Sequence, residues 1–356
     1  MWLVPALRFP EFTEEWKRIK VSDLLDFYST NSLSWEQLEY ESNEPYNLHY
    51  GLIHVGLPTI IDLTKDKLPS IKDGNVPKKY ELCKEGDIAF ADASEDTNEV
   101  AKVVEFYNLD GKKVVCGLHT IHGRNNNGQT AKGFLGYCFS STVFHNQIRR
   151  IAQGTKIYSI NTRNFSEVFV GLPSMNEQQK IATLLRLMDE RIATQNKIIE
   201  KYESLIQAMC DTLIERETQQ VTLSFGDFGQ SYSGLSGKRA EDFGDGYPFI
   251  TYMNVYQNQI IDSTDVGLVK INETEQQSVV SYGDILTLSS ETPEEVGMGA
   301  VYLGETYPLY LNSFCFGIHI TDEAKIYPPF LAYYVSSQSF RKAVYPLAQG
   351  STRFNL

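Results

Sequence analysis

Nowhere in this sequence do eighteen or more uncharged apolar residues follow one another, so it offers no candidate for a membrane-crossing helix. The first residues, Met1-Trp2-Leu3-Val4-Pro5, lack the basic stretch and apolar core of a secretory leader, which points to a cytoplasmic protein. Cysteine is sparse and scattered: Cys83, Cys116, Cys138, Cys210 and Cys315 are odd in number and contain no C-x-x-C pair. That argues against a disulfide framework and against a zinc site built on paired cysteines, leaving buried thiols as the expectation. Cations are short as well. Lysine and arginine number 32 against 45 acidic residues, a net charge of −13, whereas neutralising phosphates takes clustered Lys and Arg. Binding answers to the local field, however, and not to the whole-chain sum.

Catalytic fingerprints are missing too. Between Gly229 and Lys238 the P-loop spacing fails, because position 232 is tyrosine and position 239 arginine. Tyr327-Pro328-Pro329-Phe330 looks like the N-P-P-F signature of adenine methyltransferases, but tyrosine lacks the carboxamide, and a proline-started helix is the simpler reading. Cys116, His119 and His122 have metal-like spacing. On one continuous strand His119 would face away from the other two, so no metal is expected. Asp92, Glu95, Asp96 and Glu99 form an acidic cluster without the E-x-K pattern of nucleases and read as a solvated loop.

What is present is a long repeat. At 356 residues the chain can bury more than one core. Gly86-Asp87-Ile88 returns 197 residues later as Gly283-Asp284-Ile285. Ser140-Ser141-Thr142-Val143-Phe144 returns after 196 residues as Ser336-Ser337-Gln338-Ser339-Phe340, and Ala152-Gln153-Gly154-Thr155 after the same interval as Ala348-Gln349-Gly350-Ser351. Ile19-Lys20-Val21-Ser22 resembles Val221-Thr222-Leu223-Ser224, and Tyr46 opens an apolar segment as Tyr247 does. Units of this length are domains, not solenoid repeats. Each copy reads as mainly β, with two or three short helices, and residues 114–121 and 309–316 read as one strand each. One helix is expected to start at Pro328 or Pro329.

Between the copies, from about residue 174 to about 216, the pattern becomes helical. Ser174 and Glu177 fit a capping box after Pro173. Apolar positions follow at Ile181, Leu184, Met188, Ile192, Ile199, Tyr202, Ile206, Met209 and Leu213, with Gln195 the only polar member of the seam; the steps are three and four, with one extra four from Met188 to Ile192. About forty residues at ~1.5 Å each make a rod of roughly 55–60 Å. Its narrow apolar seam calls for a partner helix.

Taken together these residues resemble one family over essentially the whole chain. The opening Leu7-Arg8-Phe9-Pro10-Glu11-Phe12 with Trp16-Lys17 is similar to the start of specificity subunits of Type I restriction-modification enzymes. The stretch Leu172-Pro173-Ser174-Met175-Asn176-Glu177-Gln178-Gln179-Lys180-Ile181-Ala182, then Leu187-Met188-Asp189-Glu190-Arg191-Ile192, resembles their central spacer helix. The Ala-Gln-Gly-Thr and Ala-Gln-Gly-Ser segments resemble the ends of their target recognition domains. Leu33-Ser34-Trp35, His49-Tyr50-Gly51 and Gly117-Leu118-His119-Thr120 resemble signatures of some first domains.

The resemblance implies an α+β protein: two mainly β target recognition domains of the same fold joined by a long coiled-coil-forming α-helix. The expected boundaries are 1–173, 174–216 and 217–356. Leu356 aligns with Ile160, so the second domain reads as C-terminally truncated, without a second spacer helix. The implied role is a non-catalytic scaffold that reads a bipartite double-stranded DNA site, its rod exceeding the ~34–36 Å of one DNA turn. Expected partners are methyltransferase (modification) subunits and restriction/translocase subunits, with a homodimer through the spacer helix as a further expectation and no membrane. S-adenosylmethionine, ATP and Mg belong to those partners, and no cofactor is expected in this chain.

Base readout uses polar and basic side chains on loops. In the first copy the candidates are Ser29, Thr30, Asn31, Ser94, Thr97, Asn98, Arg124, Asn125, Asn126, Gln153, Thr155 and Lys156. In the second they are Ser231, Ser233, Ser236, Lys238, Arg239, Ser289, Ser290, Thr292, Gln349, Ser351 and Arg353. If Lys238 meets a phosphate, Lys238→Ala weakens binding and lowers its salt slope. The alternative is a DNA methyltransferase or nuclease with unrecognised catalytic residues, and a third is a coiled-coil adaptor that never meets DNA.

Overall fold

A computed structural model of the protein describes residues 7–40, 44–216, 222–289, 292, 295–305, 307–322 and 326–350. It divides into two compact units, residues 1–195 and 196–356. In the first, the central sheet runs Asp26–Tyr28, Thr120–Arg124, Ile88–Ala91, Val103–Asn108, Ile60–Asp62, antiparallel except for the last pair. Side chains on a strand alternate between faces. Ile88 and Phe90 therefore enter one core with Phe134, Phe139, Phe144 and Phe165, while Ala89 and Ala91 enter another with Leu48, Ile61 and Phe106. A strand so covered on both sides is necessarily apolar throughout. Edge-to-face contacts of Phe90 with Phe139 and Phe165, at 5.0 and 4.7 Å between ring centres, lock the first core.

A second sheet in this unit orders Val114–Cys116, Tyr46–Leu48, Ser70–Ile71 and Leu38–Glu39, with the first two strands parallel. The second unit repeats the scheme. Gly229–Ser233, Cys315–Ile320, Ile285–Leu288 and Gly299–Val301 form an antiparallel sheet, and Val266–Val269, Phe243–Ile250 and Tyr310–Leu311 form another whose last pair is parallel. The fold class read from the sequence is the one observed. Ser141 and Ser337 each cap a helix, accepting from the backbone N–H of Phe144 and Phe340, which explains why serine and phenylalanine recur at that spacing. The helix Pro328–Tyr334 starts at the expected proline. Two expectations change. Residues 114–121 and 309–316 are not single strands, because each breaks in a turn, at residues 117–119 and 312–314. Among the described residues the first unit holds five short α-helices, more than the two or three expected.

The repeated aspartate has a physical reason. Asp87 accepts from the backbone N–H of Lys84 at 2.8 Å, and Asp284 accepts from that of Ser281 at 2.9 Å. Each carboxylate then reaches across to the neighbouring antiparallel strand. Asp87 is held by Arg124 and His122, both within 2.8 Å, while Asp284 is held by His319 at 2.8 Å and by the Tyr232 hydroxyl at 2.6 Å. Burial pushes both acids up. In Asp87 the hydrogen bonds from His122 and Arg124 outweigh it and hold the carboxyl below its usual range, whereas Asp284, with a half-exposed histidine in place of the arginine, stays above it.

The long helix spans Met175–Arg216. In the first unit its first turn is pinned by a buried carboxylate: Glu177 accepts two bonds from Arg8, at 2.6 and 2.7 Å, and one from the Trp16 indole at 3.2 Å. Gln178 beside it donates to the carbonyls of Pro173 and Gln129 and accepts from the N–H of Ala131. In the second unit, Asp211 accepts from the N–H of Gln338 at the start of the helix Gln338–Val344, and Gln207 donates to the carbonyl of Ser336.

Glu105 supplies a test. It stands on a buried strand and accepts from the N–H groups of Gly133 and Gly136 at 2.5 and 2.7 Å, at the start of the helix Phe134–Phe139. Burial outweighs those donors and pushes its carboxyl up to about 7. A raised acid favours folding when protonated: the contribution is complete below the unfolded value of 4.5 and is lost as pH rises through about 7. The melting temperature of the first unit is expected to fall between pH 5 and 8, reflecting up to about 3 kcal/mol. Glu105→Gln is expected to flatten that dependence in a pH series of thermal melts.

Candidate nucleic-acid interface

The parallel pairing of Val114–Cys116 on Tyr46–Leu48 lays residues 49–50 beside the turn at residues 117–119. Three motifs distant in sequence thereby meet. Trp35 packs on His49 at 4.5 Å, His49 on Tyr50 at 4.7 Å, and Tyr50 on His119 at 5.2 Å between ring centres. Burial lowers the pKa of His49, so it stays neutral and accepts from the N–H of Gly51. His119 has φ of 54°, a left-handed turn that carries its half-exposed imidazole to Asp92 at 3.1 Å.

Beside this aromatic row lies a groove of about 650 Å³, lined by Ser29, Thr30, Asn31, Asn75, Lys79, Tyr80, Asp92 and His119 among others. Ser29, Thr30, Lys79 and Tyr80 are exposed in it, while Asn31 is partly spent on Asn47 and the carbonyl of Cys116. A second gathering follows from the pairing of Ala93–Ser94 with Tyr158–Ser159, which brings residues 94–98 and 153–159 together. Gln153, Thr155 and Lys156 are exposed there, and Arg149 donates to Asn98. The turn needs glycine: Gly154 has φ of 140°, and a Cβ on it would stand 1.9 Å from the carbonyl oxygen of Ile157. Gly350 repeats the conformation with φ of 145°. The carbonyl of Asp92 accepts from Ile160, so Asp92 links the groove to this second loop pair.

Residues 106–204 match the family model described as the Type I restriction modification DNA specificity domain. The likeness is to a Type I DNA specificity domain and spans 99 of the 356 residues. No curated protein matches it. Over 96% of its length it is similar in fold to 82% of the S subunit of a Type-I restriction-modification system from M. genitalium, at 16% identity and a TM-score of 0.50. It is equally similar, over 93% of its length and 80% of the other chain, to a structure that addresses complex assembly and conformational transition of the type I R-M system, again at 16% identity and TM-score 0.50.

In the two units the structure reassigns two candidates. Arg124 is buried and spends its guanidinium on Asp87, Glu81 and the carbonyl of Leu82. Lys238 is also buried, its side chain 4% exposed, and is taken up by Glu275 and the carbonyl of Lys270. Both serve the scaffold: moving Arg124 to a phosphate would strand the buried Asp87 carboxylate, and moving Lys238 would give up its contacts with Glu275 and the carbonyl of Lys270. Asn126 bonds Asp26 and the Tyr28 hydroxyl, and Asn125 bonds Thr130, so neither joins the groove. Ser94 and Thr97 lie half-buried in the second gathering. In the second unit Ser231 and Ser233 lie exposed on an edge strand, Ser236 pairs with Gln277, and Arg239 is 82% exposed. Ser289 is half-buried, and Thr292 and Gln349 are exposed. Ser290, Ser351 and Arg353 lie outside the described residues, as does Leu356.

Residue-by-residue reading passed over Asn75, Lys79, Tyr80, Arg149 and Arg150, although the basic-aromatic run Lys78-Lys79-Tyr80 was a usable signal. The acidic cluster is occupied by protein partners: Asp92 by His119, Glu99 by Lys102 and His54, and Asp96 by the N–H of Asn98. Along the long helix, Ile181 packs on the first core, whereas Leu184, Met188, Ile192, Ile199, Tyr202, Ile206, Met209 and Leu213 are all exposed. Leu187, Ile198 and Leu205 widen that stripe.

Lys79→Ala and Arg149→Ala are each expected to weaken DNA binding and reduce the slope of log affinity against log salt by about one. Lys238→Ala is expected to lower the melting temperature of the second unit and leave that slope unchanged. Fluorescence anisotropy over a salt series, beside thermal melts, separates the two outcomes.

Proposed function

We propose that this chain is the DNA-recognition subunit of a Type I restriction-modification complex, reading a bipartite double-stranded site through two similar β-rich units and leaving catalysis to partner subunits. The match of residues 106–204 to a DNA specificity domain carries the reading. The duplicated sheet topology supports it, since two copies of one reader suit two half-sites. So does the exposed apolar stripe on the long helix, a surface that modification subunits or a second helix would cover. S-adenosylmethionine, ATP and Mg²⁺ are then bound by the partners, and restriction/translocase subunits join the modification subunits on this scaffold.

Two measurements test it. Selection from random DNA by the chain together with its modification subunits is expected to enrich two short words separated by unread positions. A single continuous word, or no enrichment, overturns the reading. Ile192→Asp combined with Ile199→Asp is expected to abolish co-purification of modification subunits while leaving both units folded by circular dichroism. Full assembly by the double variant would remove the helix from the interface.

A further inference from the structure

The turn that breaks residues 114–121 has a second effect. It carries His119 outward and leaves Cys116 and His122 facing the same interior, where Cys83 joins them. Both sulfurs and a ring nitrogen of His122 lie within 4.8 Å of one another, and all three residues are buried. The two sulfurs stand 3.5 Å apart, too far for a disulfide of ~2.05 Å. Two thiolates on one tetrahedral zinc, at ~2.3 Å each, stand about 3.8 Å apart. His122 is oriented as metal-bound histidines are: its Nε2 is engaged at 2.7 Å by Asp87, while Nδ1 is buried and has no hydrogen-bond partner. An unpartnered ring nitrogen at zero side-chain exposure is costly unless something takes its lone pair.

The second unit shows that the fold does not need these donors. Cys83 donates its N–H to the carbonyl of Val114 just as Val280 does to Leu309, so Val280 is its counterpart. The carbonyls of Cys116 and Leu311 each accept from the N–H of a residue in the segment that follows the edge strand Asp26–Tyr28 or Gly229–Ser233, namely Asn31 and Leu235. By strand register His122 corresponds to Gly317, over which the ring of Tyr232 lies so closely that a Cβ would meet it at 2.2 Å. Valine, leucine and a tyrosine ring fill the volume that two thiols and an imidazole fill in the first unit. The donors are therefore an addition made in one copy only.

We infer that Cys83, Cys116 and His122, with Asp87 behind the histidine, form a binding site for a thiophilic d¹⁰ metal ion, Zn²⁺ in the first instance. Soft sulfur with imidazole selects that class over Mg²⁺ or Ca²⁺. Two thiolates neutralise the dication, and the nearby charge of Arg124 is already matched by Asp87 and Glu81. Cys116 also lines the groove beside the aromatic row, so a bound ion would stiffen its floor. This assignment stands whether or not the groove reads DNA.

The test uses the full chain, purified under reducing conditions without chelator. Elemental analysis is expected to find one zinc per chain, and Co²⁺ added to the stripped protein is expected to give thiolate-to-cobalt charge-transfer absorption. Cys83→Val with Cys116→Leu, which installs the residues of the second copy, is expected to lose both signals and keep its circular dichroism. Cys83→Ser serves where the larger side chains do not pack, with the same expected loss, and Cys138→Ser is expected to keep both signals. Substoichiometric zinc with no cobalt band overturns the inference. So does metal retained by the cysteine variants, or a Cys83–Cys116 disulfide recovered in place of bound metal.

Discussion

The organisation of this protein hangs on one buried carboxylate. Glu177 sits in the first turn of the long helix at 1% exposure, and no helix can bury such a charge there unless cations and donors come to it. Arg8 and Trp16 come from the opening segment, and the adjacent Gln178 ties down the loop near residue 130. The start of the chain, the end of the first β-rich unit and the origin of the helix are thus one polar assembly. Two of the sequence motifs that resemble specificity subunits, around Arg8 and around Glu177, are the two ends of this single interaction.

From that origin the helix runs from the first unit into the second. Beyond Ile181 its apolar stripe is left exposed and belongs to neither core. The units themselves are copies that share a skeleton and differ in chemistry. Both use an aspartate to brace a fully buried strand against its neighbour, both cap the same helix with serine, and both turn on a glycine near 150 or 350. What surrounds the aspartate differs: arginine and histidine in one, tyrosine and histidine in the other.

The sequence by itself determined the duplication, the β-rich character of each copy and the long helix between them. These follow from local causes: strand alternation, capping serines, glycines at turns of positive φ, and an apolar period of three and four. Its seam could be named residue by residue because helical spacing is regular. Only the tertiary structure decided which polar residues are free. Arg124 and Lys238 look like DNA contacts in a linear reading and are buried ion-pair partners in the fold, since a side chain's availability depends on what the rest of the chain places beside it. The meeting of Trp35, His49, Tyr50 and His119, and of Cys83 with Cys116 and His122, was equally out of reach of spacing. Both depend on parallel strand pairing and on one left-handed turn at His119, which bring together residues that an extended strand would hold apart.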